Sequence, residues 1–215
     1  MHLPFTFEQF MNIFIAYNTA VWPAQIILNI LGISAVVLCL RKVPPSGIIA
    51  GLLAVLWAWT GLVYHMMFFR LINPAATVFG LMCVVQAILF IAVGILKPRI
   101  TFRTDRSWQV VTGWILVAYS LVIYPLLGSI QGHVYPASPT FGAPCPATIF
   151  TFGMLVWTVG RVPWYVIVIP AIWSAVGFTA AFTLGIREDV GLLIAGIAGV
   201  LILTMAPRPA GPSGT

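Results

Sequence analysis

SWQVVTGWILVAYSLVIYPLLGSIQGHVYPASPTFGAPCPATIFTFGMLVWTVG, residues 107–160, runs for 54 positions without an Asp, Glu, Lys or Arg. A helix crosses the hydrocarbon of a bilayer in about 20 apolar residues, so the stretch is long enough for two crossings. Its middle, from Gly128 to Pro146, holds Gly132, Pro136, Pro139, Gly142 and Pro144 and cannot continue a helix. It reads as helix, outer loop, helix. The other uncharged intervals, 9–40, 43–69, 71–96, 162–186 and 190–207, are each long enough for one span. The expected fold is therefore all-α, a polytopic bundle of seven transmembrane helices at about 20–40, 47–69, 75–97, 108–128, 146–160, 163–184 and 188–206.

Composition agrees with that reading. Of 215 residues, 61% are hydrophobic and 7% charged, and the mean hydropathy is +1.07. A soluble domain carries about 25% charged residues, so most of this surface has to face lipid. The net charge of +6 reflects few acids, and its basic residues are scattered between apolar runs, which excludes nucleic acid as a main partner. Cys39, Cys83 and Cys145 lie too far apart for a disulfide framework or zinc ribbon. Glu8, with no Lys or Arg among the first ten residues, argues against a cleavable signal peptide.

With the N-terminus outside and the C-terminus inside, Arg41, Lys42, Lys97, Arg99, Arg103, Arg106, Arg161 and Arg208 are cytoplasmic, and Arg70 and Arg187 are outside. Positive charge favours the inner side of short loops, so N-out, C-in is expected. Ahead of the first span, Phe7, Phe10, Met11 and Phe14 recur at helical spacing over 6–17 and predict a short interfacial helix. Thr6 and Gln9 have the spacing of a capping box at its start. The chain reads as one transmembrane domain, 1–206, with a disordered cytoplasmic tail at 207–215.

Landmarks recur between the two ends of the chain. Pro23-Ala24-x-Ile26 answers Pro146-Ala147-x-Ile149, Val43-Pro44 answers Val162-Pro163, and Trp57-x-x-x-Gly61 answers Trp173-x-x-x-Gly177. They suggest a 3+1+3 parallel repeat, which resembles the architecture of SWEET-type sugar facilitators. The Pro-Gln pair of such transporters is absent, Pro23-Ala24-Gln25 standing in its place. A second likeness covers nearly the whole chain. Tyr64-His65-Met66-Met67-Phe68-Phe69, Ile72-Asn73-Pro74-Ala75-Ala76 and Cys145-Pro146-Ala147-Thr148-Ile149-Phe150-Thr151-Phe152-Gly153 are similar to a family of bacterial multi-pass proteins known only as a domain of unknown function. That resemblance implies a bacterial inner (cytoplasmic) membrane protein and carries no activity with it.

The residues that could do chemistry are few. No Asp or Glu falls inside a predicted span: Glu8 precedes the first, Asp105 is cytoplasmic, and Glu188 and Asp189 open the last, where they suit the helix dipole. Lys42 and Lys97 sit at cytoplasmic ends, so the buried Schiff-base lysine of a retinal protein is missing. Three histidines, one of them His2, cannot ligate two bis-His haems. No GxSxG occurs either. The chain is expected to be no enzyme and to need no cofactor.

Trp57, Trp59 and Trp173 lie about 15 Å into their helices, too deep for the interfacial aromatic belt, so each indole meets either a neighbouring helix or a cavity. Gln25 and Asn29 lie one turn apart on the first span and Gln86 halfway along the third, and such amides either join helices or contact a polar ligand. The leading expectation is a permease or facilitator for a small uncharged or weakly polar solute. Its site would lie near the midplane, between Gln25, Asn29, Trp57, Gln86 and Trp173, with Tyr64 and His65 toward the outer mouth and the 128–146 loop as a candidate lid. Two alternatives stay open. One is a soft-metal (Cu, Zn or Hg) site of His65, His133 and Cys145; the other is an accessory subunit. The expected partners are the bilayer, the solute, and either further copies of the chain or a larger membrane complex.

Overall fold

The computed structural model describes residues 3–104 and 107–205. His2, Asp105, Arg106, Arg208 and the 207–215 tail lie outside the described residues. Helix α1 (Phe7–Ala20) opens on the expected capping box: Thr6 N–H donates to Gln9 Oε1 at 2.8 Å and Gln9 N–H to Thr6 Oγ1 at 3.2 Å. The chain then turns by 88° through residues 21–23 into α2 (Ala24–Cys39). Helix α3 (Ser46–Trp59) continues as a π-helical segment, Thr60–Phe68. Helix α4 (Ala76–Ile91) likewise ends in a π turn, Ala92–Leu96. Helices α5 (Ser107–Ala118) and α6 (Tyr124–Ile130) are joined by a third, Tyr119–Ile123. After a long loop come α7 (Pro144–Val156), α8 (Trp164–Leu184) and α9 (Val190–Met205).

Five of these units are long and apolar enough to cross a membrane: Ser46–Leu71, Ala76–Leu96, Trp108–Ile130, Trp164–Leu184 and Arg187–Met205. A sixth results if the bent α1–α2 pair counts as one. The expected seventh, 146–160, is instead the 13-residue α7, about 20 Å long. From Pro146 to Val156 all its residues are buried, so α7 is a central post enclosed by protein. Its apolar character comes from packing against neighbouring helices. Outward-facing Ile26, Ile30 and Ile33 on α2, Val78, Leu81 and Val85 on α4, and Ile194, Ile197 and Leu201 on α9 form the apolar stripes suited to lipid.

A two-residue antiparallel pairing of Thr101–Phe102 with Thr158–Val159 closes one end of the bundle. Phe102 N–H donates to Ser46 Oγ at 3.0 Å, Arg99 reaches Tyr165 Oη, and Arg161 reaches the Thr204 carbonyl at the same end. Arg41, Lys42, Lys97 and Arg103 join them in the adjoining turns, while Arg70 and Arg187 lie at the opposite end.

The repeat landmarks occupy unlike settings. Ala24 starts an edge helix with exposed Ile26 and Ile27, whereas Pro146 lies inside the buried post. The Trp-x-x-x-Gly pairs do share a role, for both glycines mark a close approach. A Cβ on Gly61 would meet the Gly80 carbonyl at 2.7 Å and Cys83 Cβ at 2.9 Å; one on Gly177 would meet Leu192 Cδ2 at 2.8 Å. The obstacle at Gly61 is backbone, which cannot swing aside. Gly61→Ala is therefore expected to lower stability by about 1–3 kcal/mol, read from denaturant unfolding of the purified protein. Wild-type stability would show that α3 and α4 are not held this tightly.

Candidate functional site

At the end where Arg70 and Arg187 lie, opposite the main group of basic residues, the bundle contains a cavity of about 140 Å³. A protein cavity of about 150 Å³ lined by apolar side chains binds benzene, so this one suits an occupant of six to eight heavy atoms. Phe5, Phe10 and Phe14, in and just before α1, form one wall; Tyr64 and Phe69 from the end of α3 and Phe79 from α4 form another. Pro139 and Ala143 to Cys145 enter from the loop before α7. Along α8 the cavity runs from Ala181 down to Trp173, the tenth of that helix's 21 residues, and so reaches the helix middle.

Polar groups on the wall include Tyr124, Cys145, Trp173 and Asp189. Asp189, 3% exposed, accepts a hydrogen bond from Tyr124 Oη at 2.8 Å, and the Cys145 thiol lies against it. Trp173 is 8% exposed and its Nε1–H has no hydrogen-bond partner. The acceptor beside it is the Cys145 sulfur, and a thiol accepts weakly, so the indole N–H is left without an oxygen or nitrogen partner among the described residues. Among the described residues no basic side chain pairs with Asp189. Glu188 turns the other way. Fully buried, it takes His133 Nδ1 at 2.7 Å and Gln131 Nε2 at 2.9 Å, while Tyr119 Oη donates to its backbone carbonyl at 2.7 Å.

Two acids therefore lie inside the protein, which corrects the expectation of an interior without acids, although both keep their expected place in the turn that opens the last helix. The 131–143 loop folds back and covers them. A second anchor holds that loop down, for Asn18 Nδ2 donates to the carbonyls of Pro136 and Ser138 at 2.7 and 2.8 Å, and Thr140 Oγ1 donates to Asn18 Oδ1 at 2.8 Å.

The residues singled out in the sequence divide between struts and site. Tyr64 and Trp173 line the cavity. His65 packs behind Trp173, ring centroids 4.9 Å apart, fully enclosed and with neither ring nitrogen bonded. The others are tied up in helix contacts. Gln25 Nε2 donates to the Asn18 carbonyl at 2.8 Å and ties the α1–α2 corner, while Asn29 Nδ2 donates to the Gln25 carbonyl at 2.8 Å within α2. Trp57 Nε1 donates to Thr151 Oγ1 at 2.9 Å, Trp59 Nε1 to Tyr17 Oη at 2.8 Å, and Gln86 Nε2 to the Val166 carbonyl at 3.0 Å. His65, His133 and Cys145 do not converge; among the described residues no three His, Cys, Asp or Glu side chains form a metal-ligand set.

Sequence reasoning missed Asp189 and Tyr124. The available signal was that half of the chain's four acids are adjacent, directly before an apolar run. The π-helical Thr60–Phe68 segment has no sequence signature of its own. Such insertions often mark functional positions, and this one carries Tyr64 and His65.

Residues 7–211 match a family of unknown function (DUF6064), and the chain belongs to that family. No curated protein and no solved structure matches it, and the likeness to SWEET-type facilitators finds no support in these comparisons.

Proposed function

We propose that this membrane protein is a permease or facilitator whose solute, a small and largely apolar organic molecule with at least one polar group, binds in the cavity at the Trp173 end. The observation that carries the reading is the unpartnered Trp173 N–H at the bottom of an aromatic-walled space reaching the middle of α8. A buried donor without an acceptor costs about 1–3 kcal/mol, and a ligand oxygen there would remove the cost. Apolar walls with a few convergent polar groups are the usual make-up of a small-molecule site. In a bacterial cytoplasmic membrane, with the N-terminus outside, the basic end faces the cytoplasm and the cavity end faces out. The sequence argument for an uncharged passenger rested on an interior without acids, and Asp189 on the cavity wall removes that premise.

The test is flux. In reconstituted liposomes the wild-type chain should admit organic solutes of six to eight heavy atoms faster than empty vesicles do, as read by swelling. Ala180→Trp, which fills the cavity from α8, should bring the rate back to that of empty vesicles. Leu62→Trp, on an exposed apolar position, should not. Swelling no faster than in empty vesicles for every solute would end the permease reading.

A further inference from the structure

We infer that the cavity is selective for a small organic cation, an amine or quaternary ammonium that also carries an oxygen acceptor; the inference rests on the cavity being a solute site. The first observation concerns Asp189. Its carboxyl is buried on the cavity wall and receives a hydrogen bond from Tyr124, with the Cys145 thiol beside it. Both neighbours can offer it a hydrogen, as they would to a carboxylate. Among the described residues nothing positive faces it, since Glu188 takes His133 for itself and Arg187 is exposed. A buried carboxylate without a counter-charge is expensive, and a bound cation would supply the missing charge.

The second observation is independent of the first. Eight of the lining residues are aromatic, with Phe10, Phe14, Tyr64, Phe79, Tyr124 and Trp173 among them. Aromatic faces attract cations through the ring quadrupole, most strongly when water is excluded, and groups of rings are a known means of holding quaternary ammonium ions. Purely apolar recognition would need no such excess of rings over aliphatic side chains. The third is the Trp173 N–H, which shares Cys145 as a neighbour with Asp189 and can only donate. One ligand carrying a positive nitrogen and, a short carbon chain away, a hydroxyl or carbonyl oxygen would satisfy both groups together. In an aliphatic pocket the same carboxyl would read as a structural group; with rings and a free donor around it, the pocket matches an amino alcohol or its methylated analogue.

The experiment compares charged probes with neutral molecules of the same shape on the purified full chain, by calorimetry or tryptophan fluorescence. Choline is set against 3,3-dimethylbutan-1-ol, and protonated N,N-dimethylethanolamine against 3-methylbutan-1-ol. In wild type the charged member of each pair should bind at least about tenfold tighter. Asp189→Asn should abolish that preference, and Asp189→Glu should restore it. Equal or weaker binding of both cations overturns the inference and leaves the cavity a neutral-solute site. So does an Asp189→Asn variant that keeps the preference. Should Asp189→Asn not fold, the wild-type comparison alone decides. Absence of binding by all four probes overturns the inference together with the solute-site reading beneath it.

Discussion

Glu188→Ala is expected to lower the unfolding free energy by about 3–5 kcal/mol, as measured by denaturant titration of the protein in detergent. The carboxylate is fully buried and bonds to His133 at 2.7 Å and Gln131 at 2.9 Å. Removing one partner of an enclosed polar pair leaves the other without compensation, and that loss exceeds what the intact pair contributes. Here two groups are stranded, each with a desolvation penalty of about 1–3 kcal/mol. The effect is also topological. His133 and Gln131 belong to the loop that carries Pro139 and Ala143 to the cavity wall, and Glu188 is the neighbour of Asp189. Loss of the bond should therefore free the loop, detected as faster proteolysis within 131–143, in addition to lowering the unfolding midpoint. Glu188→Gln keeps the shape and one acceptor oxygen and should cost less than half as much. A Glu188→Ala protein within 1 kcal/mol of wild type would mean that the loop is held by the Asn18 contacts alone.

How much of this could be read from the chain follows from what hydropathy measures. It registers the absence of charge, so it found the five long apolar helices and the break between 128 and 146. It does not register what surrounds an apolar segment. The post at Pro144–Val156 and a lipid-facing span look alike in sequence, because protein and hydrocarbon exclude the same residues, and so 146–160 read as a seventh span. Local chemistry was more legible. Thr6 and Gln9 stated the capping box because both partners lie within one turn. The burial of Glu188 and Asp189 was not legible for the opposite reason: their partners, Tyr124, Gln131 and His133, are more than 50 residues away. Depth along a helix also proved an incomplete guide, since it gave Trp57 and Trp173 the same standing.

Those two tryptophans supply the sharpest contrast. Trp57→Ala should cost about 3–5 kcal/mol, because a ring 2% exposed in the main core leaves a void that its neighbours fill only in part. Trp57→Phe retains most of the packing and gives up the bond to Thr151 Oγ1. Thr151 keeps its own bond to the Ala147 carbonyl at 2.8 Å, so the further loss is about 1–2 kcal/mol. At Trp173 the balance runs the other way. Replacement by Phe forfeits ring area and also removes an N–H that has no oxygen or nitrogen partner among the described residues. The two effects offset, and stability should stay within about 1 kcal/mol of wild type. Bound solute would lose its donor, so flux through folded Trp173→Phe protein should fall while folded Trp57→Phe protein transports normally. Unfolding curves and liposome swelling on the same two preparations separate the roles. If Trp57→Phe lost flux at unchanged stability, the strut and the site would have to exchange places.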